Sequence, residues 1–243
     1  MYKADAVEFA KETEIPEELL SYEQAKVAGP VGHSLKNADN IINRIVKHEQ
    51  CTSYTVYISG DKNFRYDIDP AYKGQRDKIN KPIHEKQIRN HLIKKWKAQV
   101  VDCGHETDDE VSIELWRNQD THVIASIDKD LNNTPGWHFN YDKEEYYYIP
   151  YDEASLNFYR QMLSGDNVDN IKGVKGIGKQ RAEDLLPYPL TDERMCDIVW
   201  NVYKEKGYDY KYFLQQGQLL WMLRDRDVMW SPPIDIEEQE RAS

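Results

Sequence analysis

The sequence predicts an α/β protein: a mainly parallel central sheet with helices on both faces, followed by a helical region at the C-terminal side. Three observations lead there. Short β-rich runs (Ser53–Ser59, Ala98–Val101 and Thr121–Ile127) alternate with segments of helical periodicity, the pattern of strands joined by helical crossovers. Each run ends at acidic residues, where open α/β sheets place their ligands, outside the carboxyl ends of the strands. From Tyr151 onward the patterns are helical.

The 243 residues are ample for a core, in one domain or two small lobes. A 40% hydrophobic and 12% aromatic content argues for a folded chain. No apolar run is long enough to cross a membrane, and the opening Met1-Tyr2-Lys3-Ala4-Asp5 lacks an apolar signal core. Three irregularly spaced cysteines (Cys51, Cys103, Cys196) fit free thiols in a reducing compartment better than disulfides or zinc. The net charge of −11 argues against a nucleic-acid partner at first sight. Its distribution does not: between Lys73 and Lys97 nine Lys/Arg stand against two acids, an electrostatic footprint for a polyanion or, equally, a solvated helix face.

Taken in order, helices are expected at Ala6–Lys11 and Asn37–His48, with a loop over Ala28–Gly32 between them. The strand Ser53–Ser59 breaks at Gly60-Asp61-Lys62-Asn63. A helix from Ile83 to Lys97 carries Ile88, Leu92 and Trp96 on one face and basic residues on the other. Strand Ala98–Val101 runs into Asp102–Asp109 and a helix Glu110–Arg117. Strand Thr121–Ile127 ends at Asp128-Lys129-Asp130. Trp137–Tyr141 and Glu145–Ile149 flank Asp142-Lys143 as a hairpin. Helix Tyr151–Leu163 delivers the chain to Asp166. Gln180–Leu186, Thr191–Lys206 and Asp209–Arg224 are further helices, and a Pro-led acidic tail begins at Ser231.

The stretch Gly165–Lys179 holds two aspartates three apart, then glycines at 173, 176 and 178 and a helix start. Such glycines let backbone N–H groups approach a phosphate, and the helix start adds its positive dipole end. Asp166 and Asp169 join Asp61, Glu106, Asp108, Asp109, Asp128 and Asp130 at what reads as one edge of the sheet. Singly, these acids read equally well as turn and capping residues. Together, unit charges ~4 Å apart would repel by about 4 kcal/mol per pair at an effective dielectric near 20. Divalent cations relieve that, and all-oxygen donors point to Mg²⁺ or Mn²⁺. The excess of donors suggests two ions, which activate a water and stabilise the leaving oxygen in phosphodiester hydrolysis. The Tyr146–Tyr148 cluster reads first as hairpin packing, and Cys103-x-His105 alone is a weak metal signal.

These residues resemble the 5′-nuclease (flap endonuclease) superfamily, especially its small bacteriophage 5′→3′ exonucleases. Tyr72-Lys73-x-x-Arg76 resembles the arch-base motif. Glu106-Thr107-Asp108-Asp109 is similar to Glu-Ala-Asp-Asp. Ser126–Leu131 is similar to Ser-x-Asp-Lys-Asp-Leu, Gly165–Asn170 to Gly-Asp-x-x-Asp-Asn, and Gly173–Gly178 to the helix-three-turn-helix loop. The resemblance implies a PIN-like nuclease domain over 1–150, including an arch segment at 70–97. It implies a helical DNA-binding region with the helix-three-turn-helix over 151–230 and a tail at 231–243. It implies a Mg²⁺-dependent 5′→3′ exonuclease and 5′-flap endonuclease with two metals, replaceable by Mn²⁺, acting as a monomer on DNA 5′ ends, flaps and duplex junctions, with no membrane partner, in a bacterial host cytoplasm.

Residue by residue, the resemblance implies that Asp61, Glu106 and Asp108, helped by Asp109, hold the first metal. Asp128, Asp130, Asp166 and Asp169 would hold the second. Lys73 and Arg76 would contact the scissile phosphate. Lys81 and Arg89, in the basic segment, would line the arch. Gly173, Val174, Gly176, Ile177, Gly178 and Lys179 would hold duplex phosphates, with K⁺ on the loop carbonyls. One departure stands out: the family opens with a strand ending in a metal-binding Asp, and Met1–Ala6 reads like the helix that should follow it. The alternative expectation is therefore a truncated, weakly active or inactive relative that binds branched or duplex DNA.

Overall fold

The computed structural model describes residues 29–47, 51–74 and 83–236. The expected helix at Ala6–Lys11, and Arg76 and Lys81, lie outside them. The chain forms two compact units, one of residues 1–58 and 79–99, the other of 59–78 and 100–243. The second unit runs through residue 150.

In the first unit, α1 spans Val31–Val46. It begins six residues before the expected Asn37, because Pro30, with φ −53°, leads straight into the helix and Gly32 is absorbed in its first turn. The loop expected over Ala28–Gly32 therefore stops short of Val31. Helix α3, Glu85–Trp96, buries none of its residues and ends at Lys97 in the left-handed conformation (φ 56°). What joins α1 to α3 is polar. The Asp39 carboxylate accepts from Trp96 Nε1 at 2.6 Å, is 2.7 Å from His91 Nε2, and accepts from Lys95 Nζ at 2.8 Å. Burial opposes ionisation of Asp39, but these three partners outweigh it and hold the carboxyl far below the usual range.

The first three strands are shorter than the sequence suggested. β1 is Tyr57–Ser59 and β2 is Gln99–Val101, and they form a two-stranded sheet. β3 (Val123–Ala125) pairs parallel with β4 (Gly136–Asn140), which pairs antiparallel with β5 (Glu145–Ile149) in the expected hairpin. The α/β class with a mixed, partly parallel sheet is thus borne out, with the sheet in two pieces. Just past β1, Gly60 N donates to Val101 O at 2.7 Å, and a Cβ at Gly60 would lie 2.1 Å from that oxygen. Only glycine lets the chain leave the strand there. The short helix α2 (Arg65–Ile68), which has no periodic signal, follows it.

Helix α4 (Thr107–Arg117) starts three residues earlier than expected, because Glu106 is its N-cap and Asp109 closes a capping box onto the Glu106 N–H. Helix α5 (Tyr151–Ser164) is the hub of the second unit. Phe158, Met162 and Leu163 are fully buried among Val174, Trp200, Tyr203 and Phe213, contributed by the Gly-rich loop and by helices α7 (Asp192–Glu205) and α8 (Tyr210–Leu220). Burial of each such side chain contributes roughly 1.5–3 kcal/mol. The intervening α6 (Lys179–Leu185) packs on α5 through Ala182 and Leu186. A smaller core of Leu115, Ile124 and Leu131 joins α4 to β3. No described helix is long and apolar enough to cross a membrane.

Candidate active site

The second unit contains a cavity of about 110 Å³ whose wall includes six carboxylates: Glu106, Asp108, Asp128, Asp130, Asp166 and Asp169. Three pieces of chain deliver them. The α4 start supplies Glu106 and Asp108. The link between the parallel strands β3 and β4 supplies Asp128 and Asp130, the latter opening a 3₁₀ turn over Asp130–Asn133. The loop after α5 supplies Asp166 and Asp169.

Each delivery has a local cause. Asp128 Oδ1 accepts from Asp130 N at 3.0 Å, and Ser126 Oγ accepts from Asp128 N at 3.0 Å, so the link folds on its own side chains. Gln161, on α5, donates to Asp130 Oδ1 at 3.0 Å and fixes that carboxylate. Past α5, Asp166 and Ile171 exchange backbone hydrogen bonds of 2.8 and 2.7 Å, closing a loop that turns Asp169 back. This closure depends on two glycines in left-handed conformations. A Cβ on Gly165 (φ +71°) would meet Ile171 O at 2.5 Å, and one on Gly173 (φ +57°) would meet Gly165 N at 2.4 Å.

Two side chains hold the wall together from the side of α2. The Tyr72 hydroxyl lies 2.9 Å from both Glu106 Oε2 and Asp169 Oδ2. Burial, then the Glu106 charge, push its phenol far up, so it stays a donor. The Lys73 ammonium contacts Glu106 Oε1 and lies 3.5 Å from Asp169 Oδ2. Its backbone N donates to Asp169 O at 3.0 Å from a left-handed conformation (φ 54°).

The acids outnumber the cations around the cavity, which adds to burial in disfavouring their ionised forms. Burial, then the charges of Glu106 and Asp128, raise the Asp108 carboxyl to about 6. Burial, then Asp166 and Asp128, raise Asp130. A site that disfavours its own ionised carboxylates in the absence of counter-charge is one a hard cation would neutralise.

Two expected ligands are placed elsewhere. Asp61 follows β1, but it is exposed and absent from the cavity wall. Asp109 is fully buried and points away. Its Oδ2 accepts from Arg65 Nη1 at 2.6 Å and Glu106 N at 3.0 Å, its Oδ1 from Arg65 Nη2 at 2.8 Å and Leu223 N at 3.1 Å. These contacts make it a strut between Arg65, the α4 start and Leu223. Arg65, 2% exposed, also donates to Leu219 O at 2.8 Å and Trp221 O at 2.7 Å. Burial works against its charge, but Asp109 raises its pKa well beyond the usual value. Nη1 of the same guanidinium lies 3.7 Å from Glu106.

The glycine loop is only partly available. Gly173 N donates to Gln216 Oε1 at 2.9 Å, Gly173 O accepts from Tyr212 at 3.1 Å, and Val174 N donates to Leu163 O at 2.9 Å. Val174 and Ile177 are buried pegs. Those three positions anchor the loop and present no free donor or side chain for the expected phosphate contacts, whereas Gly176, Gly178 and Lys179 are exposed. Arg89 is half-buried on α3, in the other unit.

Sequence reasoning missed Arg65 and Gln161. Arg65 sits in a four-residue helix without periodicity, and Gln161 is one polar residue near the end of an otherwise regular helix, so neither carries a one-dimensional signal. Tyr72 was within reach, as the neighbour of Lys73 in the quoted motif.

No protein-family model matches the chain. The 5′-3′ exonuclease of Mycoplasmopsis pulmonis is 28% identical over 159 residues, covering 58% of this chain and 54% of that protein. The 5′-3′ exonuclease of Buchnera aphidicola is 27% identical over 160 residues, covering 58% of this chain and 52% of that protein. The chain thus matches about half the length of these relatives. Among solved structures, the T5 D15 protein co-crystallised with metal ions aligns with a TM-score of 0.50 at 18% identity, over 78% of this chain and 82% of that one. At that identity the likeness is one of fold.

Proposed function

We propose that this chain, a relative of the 5′-nuclease superfamily of phage type, is a divalent-metal-dependent 5′→3′ exonuclease and 5′-flap endonuclease that hydrolyses DNA phosphodiesters. The observation that carries the reading is the convergence of six carboxylates on one cavity with Lys73 and Tyr72 at its wall. The names of the curated relatives and of the metal-containing fold neighbour agree with it.

The donor set fits the group it would hold. All six cavity carboxylates offer oxygen, and two of them are raised in pKa by burial and mutual repulsion. That suits Mg²⁺, with Mn²⁺ as substitute, and does not suit a soft metal. Glu106 and Asp108 would hold one ion and Asp128, Asp130, Asp166 and Asp169 the other. When bound, such ions supply Lewis-acid stabilisation of the charge that develops on a phosphodiester under attack by water.

The chain's own residues contribute positioning and charge. Lys73, parked on Glu106 and Asp169, offers an ammonium to the scissile phosphate, stabilising its added negative charge. Tyr72 and Gln161 keep Glu106, Asp169 and Asp130 in place, and the Arg65–Asp109 pair holds the α4 start behind Glu106. Gly176, Gly178 and Lys179 form the exposed part of the loop that would meet duplex phosphates, with K⁺ on nearby carbonyls. Arg76 would contact the scissile phosphate beside Lys73, and Lys81 and Arg89 would belong to the basic segment that receives a single-stranded 5′ end. A monomer working on DNA in a bacterial cytoplasm is part of the same proposal.

The position of Asp61, exposed and outside the cavity wall, favours one second reading: a relative that binds branched DNA and cuts it weakly. One assay separates the two. Purified chain is incubated with a 5′-labelled flapped duplex in Mg²⁺, then with excess chelator. The nuclease reading expects short labelled products that chelator abolishes. A retained, uncut complex in Mg²⁺ and in Mn²⁺ would replace it with the binding reading.

A further inference from the structure

Just behind the α4 start, a second group of metal-type donors gathers. Cys103 Sγ lies 3.5 Å from His105 Nδ1 and 3.4 Å from Nε2, and His105 Nε2 lies 2.7 Å from Glu110 Oε2. One ligand atom from each of the three falls within 4.8 Å of the others. None of the three lines the carboxylate cavity. We propose that Cys103, His105 and Glu110 form a separate binding site for a borderline-soft divalent ion of the zinc class.

The chemistry of the donors sets this site apart from the all-oxygen cavity. A thiolate, an imidazole and a carboxylate are the set zinc accepts, at about 2.3 Å to sulfur and about 2.0–2.2 Å to nitrogen and oxygen. Tetrahedral bonds of those lengths place sulfur and nitrogen ~3.5 Å apart and nitrogen and oxygen ~3.3 Å apart. The observed 3.4 and 2.7 Å are close to these separations, and because Sγ lies almost equidistant from both ring nitrogens the imidazole must turn to aim its Nε2 lone pair between the sulfur and the carboxylate. The neighbourhood is also graded as a metal site needs. His105 and Glu110 are 4% and 6% exposed, whereas Cys103 is exposed and leaves a path for the ion and for a solvent ligand in the fourth position. The second carboxylate oxygen of Glu110 already accepts from Arg226 at 2.7 Å, which fixes the orientation of the first. Binding would release the Cys103 thiol proton to solvent, and the proton that His105 Nε2 shares with Glu110 would move to Nδ1 or to solvent.

The position suggests what the ion does. Cys103 and His105 lie on the loop that leads to Glu106, and Glu110 lies in the first turn of α4. An ion here clamps that loop to the helix whose N-cap is a cavity carboxylate, in addition to the Asp109 contact.

The test uses chain stripped with chelator and titrated with Zn²⁺ alone, then with Co²⁺ alone. Wild type is expected to take up a zinc ion that an Asp128→Asn/Asp166→Asn variant retains. With Co²⁺ it is expected to show the near-ultraviolet sulfur-to-cobalt charge-transfer absorption that oxygen donors cannot give. Cys103→Ser should abolish the absorption and weaken zinc binding by more than the ~10–100-fold that loss of an outer-sphere partner costs. Cys51→Ser should change neither. Because Cys103 is exposed, its serine variant should fold even if His105→Gln does not, as its metal-free circular dichroism would show. No charge-transfer absorption in wild type, or one that survives Cys103→Ser or vanishes with Cys51→Ser, overturns the proposal.

Discussion

Asp108 and Asp109 are adjacent in sequence and belong to the same motif, yet their replacement by asparagine should move the stability of the metal-free protein in opposite directions. Asp108 faces the cavity, and its carboxyl rises from 3.8 to about 6 on folding. Its folded pKa exceeds its unfolded one, so the folded state holds the proton more tightly. The metal-free protein therefore loses stability as pH rises from about 4 to about 6, and the loss is complete at pH 7. Each tenfold rise in proton affinity on folding is worth about 1.4 kcal/mol, which puts the penalty on the order of 2–3 kcal/mol, and Asp108→Asn should recover most of it. Asp109 is the reverse case. It is wholly buried and neutralises Arg65, itself 2% exposed. Asp109→Asn strands a buried guanidinium, and breaking such a pair costs about 3–5 kcal/mol. The assay is urea unfolding of the three proteins in chelator at pH 7, with the slopes compared to confirm a common unfolding transition. Stabilisation by both substitutions would mean that Asp109 shares the cavity's repulsion and is a ligand after all. Destabilisation by both would remove the ground for calling the cavity short of positive charge.

Other expectations follow from the same geometry. Lys73→Ala should slow single-turnover cleavage of a flapped duplex by about 10²–10³, while DNA affinity changes far less; equal losses in both would make Lys73 a general DNA contact. Gly173→Ala should cost more than about 2 kcal/mol, because its Cβ falls 2.4 Å from Gly165 N in a left-handed turn. Gly176→Ala, which meets no atom within 4 Å, should cost only about 1–2 kcal/mol of backbone strain and weaken duplex binding; equal costs at the two glycines would refute the role given to close packing. Asp39→Asn removes the charge and one of the two acceptor oxygens that serve three polar partners, a loss of about 1–3 kcal/mol, so amide exchange in α1 and α3 should quicken roughly tenfold at pH 7. Because the folded pKa of Asp39 is depressed, its contribution is present above the unfolded pKa near 4 and is lost as pH falls through the folded value. An exchange difference that persisted unchanged in strong acid would contradict this.

Much of this architecture was legible in the chain, and the exceptions have physical reasons. The β4–β5 hairpin, the helix Tyr151–Ser164 and the acids after the strands follow from local patterning, which single sequences carry well. Helix starts were misplaced where capping chemistry outweighed periodicity: Pro30 began α1 early, and Glu106 with Asp109 began α4 early. The site was read as a set of carboxylates without its supports. Arg65 acts through contacts to residues 44, 154 and 156 positions away, and no local pattern encodes such a partner. Asp109 was read as a ligand because it completes the Glu106-Thr107-Asp108-Asp109 motif, but on a helix adjacent side chains point about 100° apart. The loop glycines were read as one phosphate grip. In the structure they divide: Gly173 lets its backbone touch that of Gly165, whereas Gly176 and Gly178 face solvent.

We propose that the carboxylate cavity performs phosphodiester hydrolysis on DNA. The most direct test is a paired measurement on Asp128→Ala, whose side chain lines the cavity and accepts only the short-range Asp130 N–H contact among the described hydrogen bonds. Binding of a flapped duplex is measured in Ca²⁺ and single-turnover cleavage in Mg²⁺. Wild-type affinity with cleavage reduced to background is the expected result. Unchanged turnover would contradict the claim.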